Sequence, residues 1–302
     1  MLRTPQAPST ALHRAAAAAR VDLVHRLGRG GQGQVWCVRR RADGRLQALK
    51  VLPRHSQRQR ARFAREAEAA AAALGPHLVG ARGSLEGRGW GALVLPHVPG
   101  VSLALLVALH RSTPPDAVLA TVALGVLEAL DELHARGWQH RDVAPHNVVV
   151  TPSGDVRLID FGAAVRLGAR GPAVGRAEFM APEQKAGAPA SAAADVFSVG
   201  RMLLALKPSN LALVSLAKSL AQPEPMLRPS LRDAANTLRE HAAEPAELGS
   251  LVGPWVPTLT PRRAAGVPSR PRAPEHRAAL RPRWSWAVAA GLCVASSVSQ
   301  WV

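Results

Sequence analysis

Apolar and polar positions change rhythm several times along the chain. Val21-Asp22-Leu23-Val24 and Gln34-Val35-Trp36-Cys37-Val38 flank a glycine cluster, and Leu46 to Leu52 forms a third apolar run. Short β-branched runs bounded by glycine predict three strands, and the turn Ala42-Asp43-Gly44 predicts a hairpin between the second and third. Residues 57–74 are rich in alanine, arginine and glutamate up to Gly75-Pro76, which predicts a helix behind the strands. Gly91 to Val98 returns to strand texture. Pro114 to Ala135 spaces Val118, Val122, Leu124, Val126, Leu127 and Leu130 as one long helix would.

Farther on, Asn147 to Val150 and Val156 to Ile159 flank Pro152-Ser153-Gly154 and predict two short strands joined by a turn. Ala194 to Leu206 and Leu211 to Leu220 read as buried helices, and Ser230 to His241 as a last one. The ends differ in texture. Residues 1–20 are polar and alanine-rich and are expected to form a loose arm or a short helix. Residues 246–283 accumulate proline and arginine, the composition of a linker. Trp284 to Val302 then runs 19 residues without a charge.

An apolar content of 47% with 20% charge suits a globular chain and excludes collagen and wholesale disorder. Cys37 and Cys293 are the only two cysteines, so no disulfide framework is expected and a reducing cytoplasm fits the chain. Met1 to Thr10 lacks the apolar core of an export signal. The formal charge of +17 would ordinarily suggest nucleic acid. Here only Lys50, Lys185, Lys207 and Lys218 are lysines and the other 34 basic residues are scattered arginines. That is the mark of a base-composition bias, and nucleic acid is not an expected partner.

Candidate chemistry begins with Leu27-Gly28-Arg29-Gly30-Gly31-Gln32-Gly33-Gln34-Val35, a glycine-rich loop between two strands of the kind whose amides can face phosphate oxygens. Alone it is a weak signal. Lys50 follows in the apolar strand Ala48-Leu49-Lys50-Val51, where an ammonium needs an anionic partner. Glu66 in the following helix is the natural candidate, with Glu68 as the alternative. Next comes His140-Arg141-Asp142-Val143-Ala144-Pro145-His146-Asn147, then Asp160-Phe161-Gly162, then Ala181-Pro182-Glu183.

In this order, over residues 21–240, the motifs resemble the bacterial eukaryotic-like (Hanks-type) serine/threonine protein kinases. The resemblance implies an α+β fold of two lobes, a small β-rich N-lobe and a mainly helical C-lobe, over residues 21–245. It implies ATP and Mg2+ as cofactors and a protein hydroxyl as acceptor. Lys50 would hold the α- and β-phosphates and pair with Glu66, Asp142 would take the hydroxyl proton, and Asn147 and Asp160 would hold the metal. Leu27, Gly28, Gly30, Gly33, Val35 and Ala48 would surround the nucleotide. Leu95 would stand as gatekeeper, with the Pro96 carbonyl and Val98 amide on the adenine edge. Asp195 would brace the catalytic loop and Arg228 would pair with Glu183.

Several positions depart from the family pattern. Ala144 replaces the lysine that usually follows the catalytic aspartate by two residues, as in tyrosine kinases. Arg176 stands where threonine is usual, and its charge could compensate for the missing lysine near Asp142. Residues 163–180 contain no serine, threonine or tyrosine, so the segment cannot be phosphorylated. The short interval between Asp195 and Arg228 predicts a reduced or absent helix. A catalytically weak pseudokinase serving as an interaction module is therefore the main alternative, ahead of a small-molecule phosphotransferase. Dimerisation could replace loop phosphorylation as the control. For Trp284 to Val302 two readings stand open: a C-terminal membrane helix with Arg262 to Arg283 on its cytoplasmic side, or a packing or peripheral segment.

Overall fold

A computed structural model of the chain describes residues 9–30, 33–110, 114–172 and 174–256. The three expected strands are β1 (Val21–Gly30), β2 (Gly33–Arg40) and β3 (Leu46–Pro53), each longer than its apolar run. With β4 (Gly83–Gly87) and β5 (Trp90–Pro96) they form an antiparallel five-stranded sheet in the order β1-β2-β3-β5-β4. β4 was not apparent in the sequence, because Gly83-Ser84-Leu85-Glu86-Gly87 has a single apolar residue.

Alternation along β3 explains the unbroken apolar run. Leu49 and Val51 face one side of the sheet, where Leu12 and Ala15 of helix α1 (Thr10–Ala18) cover them. Ala48, Lys50 and Leu52 face the other side, toward α2 (Gln57–Ala72) and the cleft below it. Residues 10–18 are thus the short helix of the two expected alternatives, and they pack as part of the lobe and not as an arm. Ser9 caps α1 by accepting from the Leu12 amide at 3.3 Å, and Leu12 and Ala15 are fully buried. Burying a leucine is worth about 2 kcal/mol, enough to hold a short alanine helix against the sheet.

Beyond the sheet, β6 (Val101–Ser102), α3 (Leu103–His110) and α4 (Asp116–His134) lead to β7 (Trp138–Gln139) and to the short strands β8 (Val148–Val150) and β9 (Val156–Leu158). β10 (Val165–Arg166) pairs with β7. The helices α5 (Pro182–Lys185), α6 (Ala192–Ala205), α7 (Leu211–Leu220), α8 (Leu231–Arg239) and α9 (Pro245–Val252) complete the described chain. α4 and α6 carry the centre of this core, with Val122, Val126, Leu130, Val199 and Met202 fully buried. The architecture is the expected α+β arrangement of a β-rich lobe and a helical lobe.

The linker boundary also moves. Residues 245–252 form α9, whose Leu248 and Val252 are fully buried in the main core, so the folded unit runs past the expected end at 245. Between α6 and Arg228 the described chain holds a single α-helix, α7, in keeping with the short interval. No helix among the described residues is long and apolar enough to cross a membrane. Residues 1–8 of the arm, residues 257–283 of the linker and the segment Trp284 to Val302 lie outside the described residues.

Candidate active site

Lys50 lies at the centre of the cleft. Its Nζ is 2.6 Å from Glu66 Oε1 and 2.7 Å from Asp160 Oδ1, so one ammonium joins β3, α2 and the loop after β9. Burial works against the Lys50 charge, but Asp160 and Glu66 outweigh it and raise its pKa. At Glu66 burial prevails over the attraction of Lys50 and pushes the carboxyl above its ordinary range. Burial also opposes the Asp160 charge, yet the ammonium and the Gly162 N–H, 3.0 Å from Oδ1, hold that carboxyl below its usual value. Glu68, the alternative partner, instead meets Arg166 at 2.5 Å on the surface.

Asp142 is positioned by three hydrogen bonds from two donors. Asn147 Nδ2 donates to its backbone carbonyl at 2.8 Å and to Oδ2 at 2.9 Å, while the Arg176 N–H donates to Oδ1 at 3.1 Å. The charge expected of Arg176 is felt in the same loop, where after burial it helps lower the His146 pKa. The Arg176 backbone reaches Asp142, and among the described residues no ion pair links its exposed guanidinium to that carboxylate. Gly175 makes the approach possible: its φ is +128°, and a Cβ there would lie 2.8 Å from the Arg141 carbonyl oxygen. Ala144 is fully buried and brings no charge.

Asn147 uses its amide nitrogen on Asp142 and keeps Oδ1, while Asp160 uses Oδ1 on Lys50 and keeps Oδ2. Two hard oxygens beside the Lys50 ammonium are a donor set that suits magnesium, which takes few protein ligands and completes its shell with water and substrate oxygens. Among the described residues no group of three or more His, Cys, Asp or Glu side chains could hold a metal elsewhere.

The loop that carries Asp142 is braced from α6. Asp195, fully buried, accepts from the His140 and Arg141 amides at 2.8 Å each and from His134 Nε2 at 2.8 Å. Burial would raise its pKa, but the His134 bond and the loop donors lower it overall. His140 stacks edge-on against Phe161 at 5.4 Å, which fixes the residue after Asp160. Arg228 meets Glu183 through two bonds of 2.6 and 2.9 Å, and donates also to the Gln222, Ala193 and Pro223 carbonyls. Both structural pairings expected from the motifs are thus in place.

Leu27, Val35, Ala48, Leu95 and Val98 come together in one apolar cluster beneath the sheet, as expected. Gly28 pairs with Val35 and Gly30 with Gly33 across the hairpin, and Gly33 runs so close to β3 that a Cβ would lie 2.3 Å from the Val51 carbonyl oxygen. Pro96 pairs with Gln47 at the end of β5. Sequence reading missed Cys37, Val79, Val149 and Ile159 in the same cluster. Cys37 and Val149 could have been found from period-two spacing, two residues beyond Val35 and Asn147. Burial pushes the Cys37 thiol up to about 11.

The segment after Asp160 is held by unmodified groups. Arg141 is buried with φ +68° and donates from Nη2 to the Pro172 carbonyl at 3.0 Å, while its Nε and Nη1 are buried without a hydrogen-bond partner. Arg170 donates to the Gly187 carbonyl at 2.7 Å.

One bridging lysine, a braced aspartate and two unused oxygens together have the form of an ATP-dependent phosphotransferase site. Residues 21–214 match the protein kinase domain family, and the chain belongs to that family. Members in general use ATP and a divalent metal. Among curated proteins it is similar to serine/threonine-protein kinase PknD of Mycobacterium tuberculosis, 35% identical over 190 residues, 60% of this chain and 28% of that protein. Serine/threonine-protein kinase AfsK of Streptomyces coelicolor is 38% identical over 192 residues, 61% of this chain and 24% of that protein. PknA of Mycobacterium tuberculosis is 31% identical over 279 residues, 83% of this chain and 63% of that protein. The matched region is less than a third of the length of PknD and AfsK.

Proposed function

We propose that this chain is a serine/threonine protein kinase that transfers the γ-phosphate of MgATP to a hydroxyl of another protein. The observation that carries the reading is the single ammonium of Lys50 bridging Glu66 and Asp160 beside an Asp142 held by Asn147 and Arg176. Phosphoryl transfer needs an in-line nucleophile and fixed positive charge more than covalent help. Asp142 orients the acceptor hydroxyl and takes its proton as the oxygen–phosphorus bond forms. The bond between the γ-phosphorus and the bridging oxygen breaks, and ADP leaves with the electron pair. Lys50 would hold the nucleotide phosphates, and Asn147 and Asp160 would hold the metal, which would neutralise charge on those oxygens. The apolar cluster around Ala48 and Val149 takes the adenine ring.

A second reading, a pseudokinase with weak turnover, is favoured by one observation: Ala144 leaves no side-chain cation between Asp142 and Asn147. Transfer of label from radiolabelled MgATP by the full chain, to itself and to a generic basic protein, separates the two. Label that vanishes in Asp142→Asn supports the kinase; ATP binding without any label in the wild type overturns it.

A further inference from the structure

An open polar hollow of about 530 Å3 lies where α1, the turn between β3 and α2, and the β4–β5 turn meet. Arg14 of α1, Arg54 and His55 of the first turn, Arg60 of α2 and Arg88 of the second turn line it, with Gly87 and Gly89 between them. Every lining residue with a titratable side chain is basic, and no carboxylate lines the cavity. Among the described residues Glu86 approaches it, pairing with Arg54 Nη1 at 2.9 Å.

Arg54 is a fixed element of the wall. It lies over the Phe63 ring at 5.1 Å, and its Nε is buried without a hydrogen-bond partner. Arg60 donates to the His55 carbonyl at 3.3 Å, which ties the turn to α2. Gln59 Oε1 accepts from the His55 and Ser56 amides at 2.8 and 3.1 Å, so the turn itself is rigid. Arg14 and Arg88 are exposed and form no ion pair among the described residues. With Arg54 paired to Glu86, the guanidinium groups of Arg14, Arg60 and Arg88 have no carboxylate partner among the described residues, and these like charges repel each other unless an anion joins them. Guanidinium forks match the tetrahedral oxygens of phosphate, and a volume in the usual range of small-molecule sites, about 300–1,000 Å3, exceeds one phosphate alone.

We propose that this cavity is a binding site for a multiply charged phosphate group, carried by a soluble phosphorylated molecule or by a phospholipid headgroup. An anion held there joins α1 and the β4–β5 turn to the first turn of α2, the helix that presents Glu66 to Lys50. Occupancy of the cavity therefore acts on the placement of the active-site ion pair.

The test titrates the full chain with sodium pyrophosphate by calorimetry at constant ionic strength. Arg14→Ser/Arg88→Ser is compared with Lys218→Ser/Arg232→Ser, which removes equal charge from exposed positions of α7 and α8, and with Arg14→Lys/Arg88→Lys. Circular dichroism checks that each variant is folded. The expected result is an affinity reduced about tenfold or more by the cavity variant, unchanged within about twofold in the α7/α8 variant, and largely kept with lysine. Binding in the cleft at Lys50 would persist in all of them and so cannot imitate this pattern. Sedimentation with phosphatidylcholine vesicles, with and without phosphatidic acid, then assigns the source. Loss of vesicle binding only in the cavity variant points to a headgroup, and unaltered vesicle binding points to a soluble phosphate. Equal pyrophosphate affinity in the two serine variants overturns the site.

Discussion

The backbone amide of Arg176 donates to Asp142 Oδ1 at 3.1 Å, in a segment that has no phosphorylatable residue. A peptide N–H thereby does the orienting that the missing threonine hydroxyl and lysine ammonium would share. The contact depends on backbone placement, hence on Gly175 rather than on the arginine side chain. Gly175→Ala must either leave the φ of +128° or push a methyl group against the Arg141 carbonyl. Strain of about 1–3 kcal/mol at this point should lower the rate of label transfer about tenfold or more. Arg176→Ala should change it less than about threefold. A larger loss in Arg176→Ala than in Gly175→Ala would show that the guanidinium, and not the amide, serves Asp142.

The Lys50 ion pair has a pH signature. Lys50→Met leaves Glu66, already raised by burial, with no nearby ammonium, so its folded-state pKa rises further above the unfolded value. A folded state that binds a proton more tightly loses stability as pH rises from the unfolded pKa through the folded one. Chemical denaturation of Lys50→Met should therefore show a deficit against wild type that is large near about pH 7 and shrinks toward about pH 5. Lys50→Met/Glu66→Leu should remove the Glu66 share of that pH dependence and leave the share of Asp160, which loses the same ammonium. A deficit that is flat in pH in Lys50→Met would mean that Glu66 is solvated once the lysine is gone.

How far these relationships were legible depends on how local they are. Lys50 in an apolar strand announced the need for a buried partner, and the order of the motifs placed Asp142, Asn147 and Asp160 with it. Asp195 and Arg228 were equally readable, because each sits in a short motif whose partner sits in another. The docking of α1 was not, since an alanine-rich helix reveals its packing only when the far face of the sheet is known. Arg14, Arg54, Arg60 and Arg88 converge from three segments, and in a chain with 34 arginines nothing in the sequence singles them out. Val149 was hidden by its neighbours, all apolar, although its spacing from Asn147 put it on the cleft side.

Asp195 gives a stability prediction with a definite sign. Its folded-state pKa is lowered overall, so its contribution is present above the unfolded value of about 4 and lost as pH falls through the folded one. Asp195→Ala leaves the His140 and Arg141 amides and His134 Nε2 without their acceptor in a fully buried setting. Each unsatisfied buried donor costs about 1–3 kcal/mol, so a loss of about 3 kcal/mol or more is expected, with the catalytic loop released. Asp195→Asn, which keeps one acceptor oxygen, should fall between the two. The check is urea denaturation near neutral pH, with hydrogen exchange at the 140 and 141 amides. Protection of those amides in Asp195→Ala would count against the brace.

Cys37 supplies a probe of the cleft roof that needs no catalysis. It is fully buried between Leu27, Ala48 and Val98, and burial holds its thiol at about 11, two steps removed from reactivity near neutral pH: inaccessible and protonated. Iodoacetamide near about pH 8 should leave the Cys37 peptide unmodified in the folded protein and label it fully after denaturation. Cys37→Trp, which overfills the same space, should weaken ATP binding while Asp142→Asn does not, because one acts on the apolar wall and the other on proton acceptance. Overpacking a tight site costs about 1–3 kcal/mol, or roughly one to two orders of magnitude in affinity if the adenine ring shares that wall. Equal ATP affinity in Cys37→Trp and wild type, measured on folded protein, would place the ring elsewhere than against Ala48 and Val149.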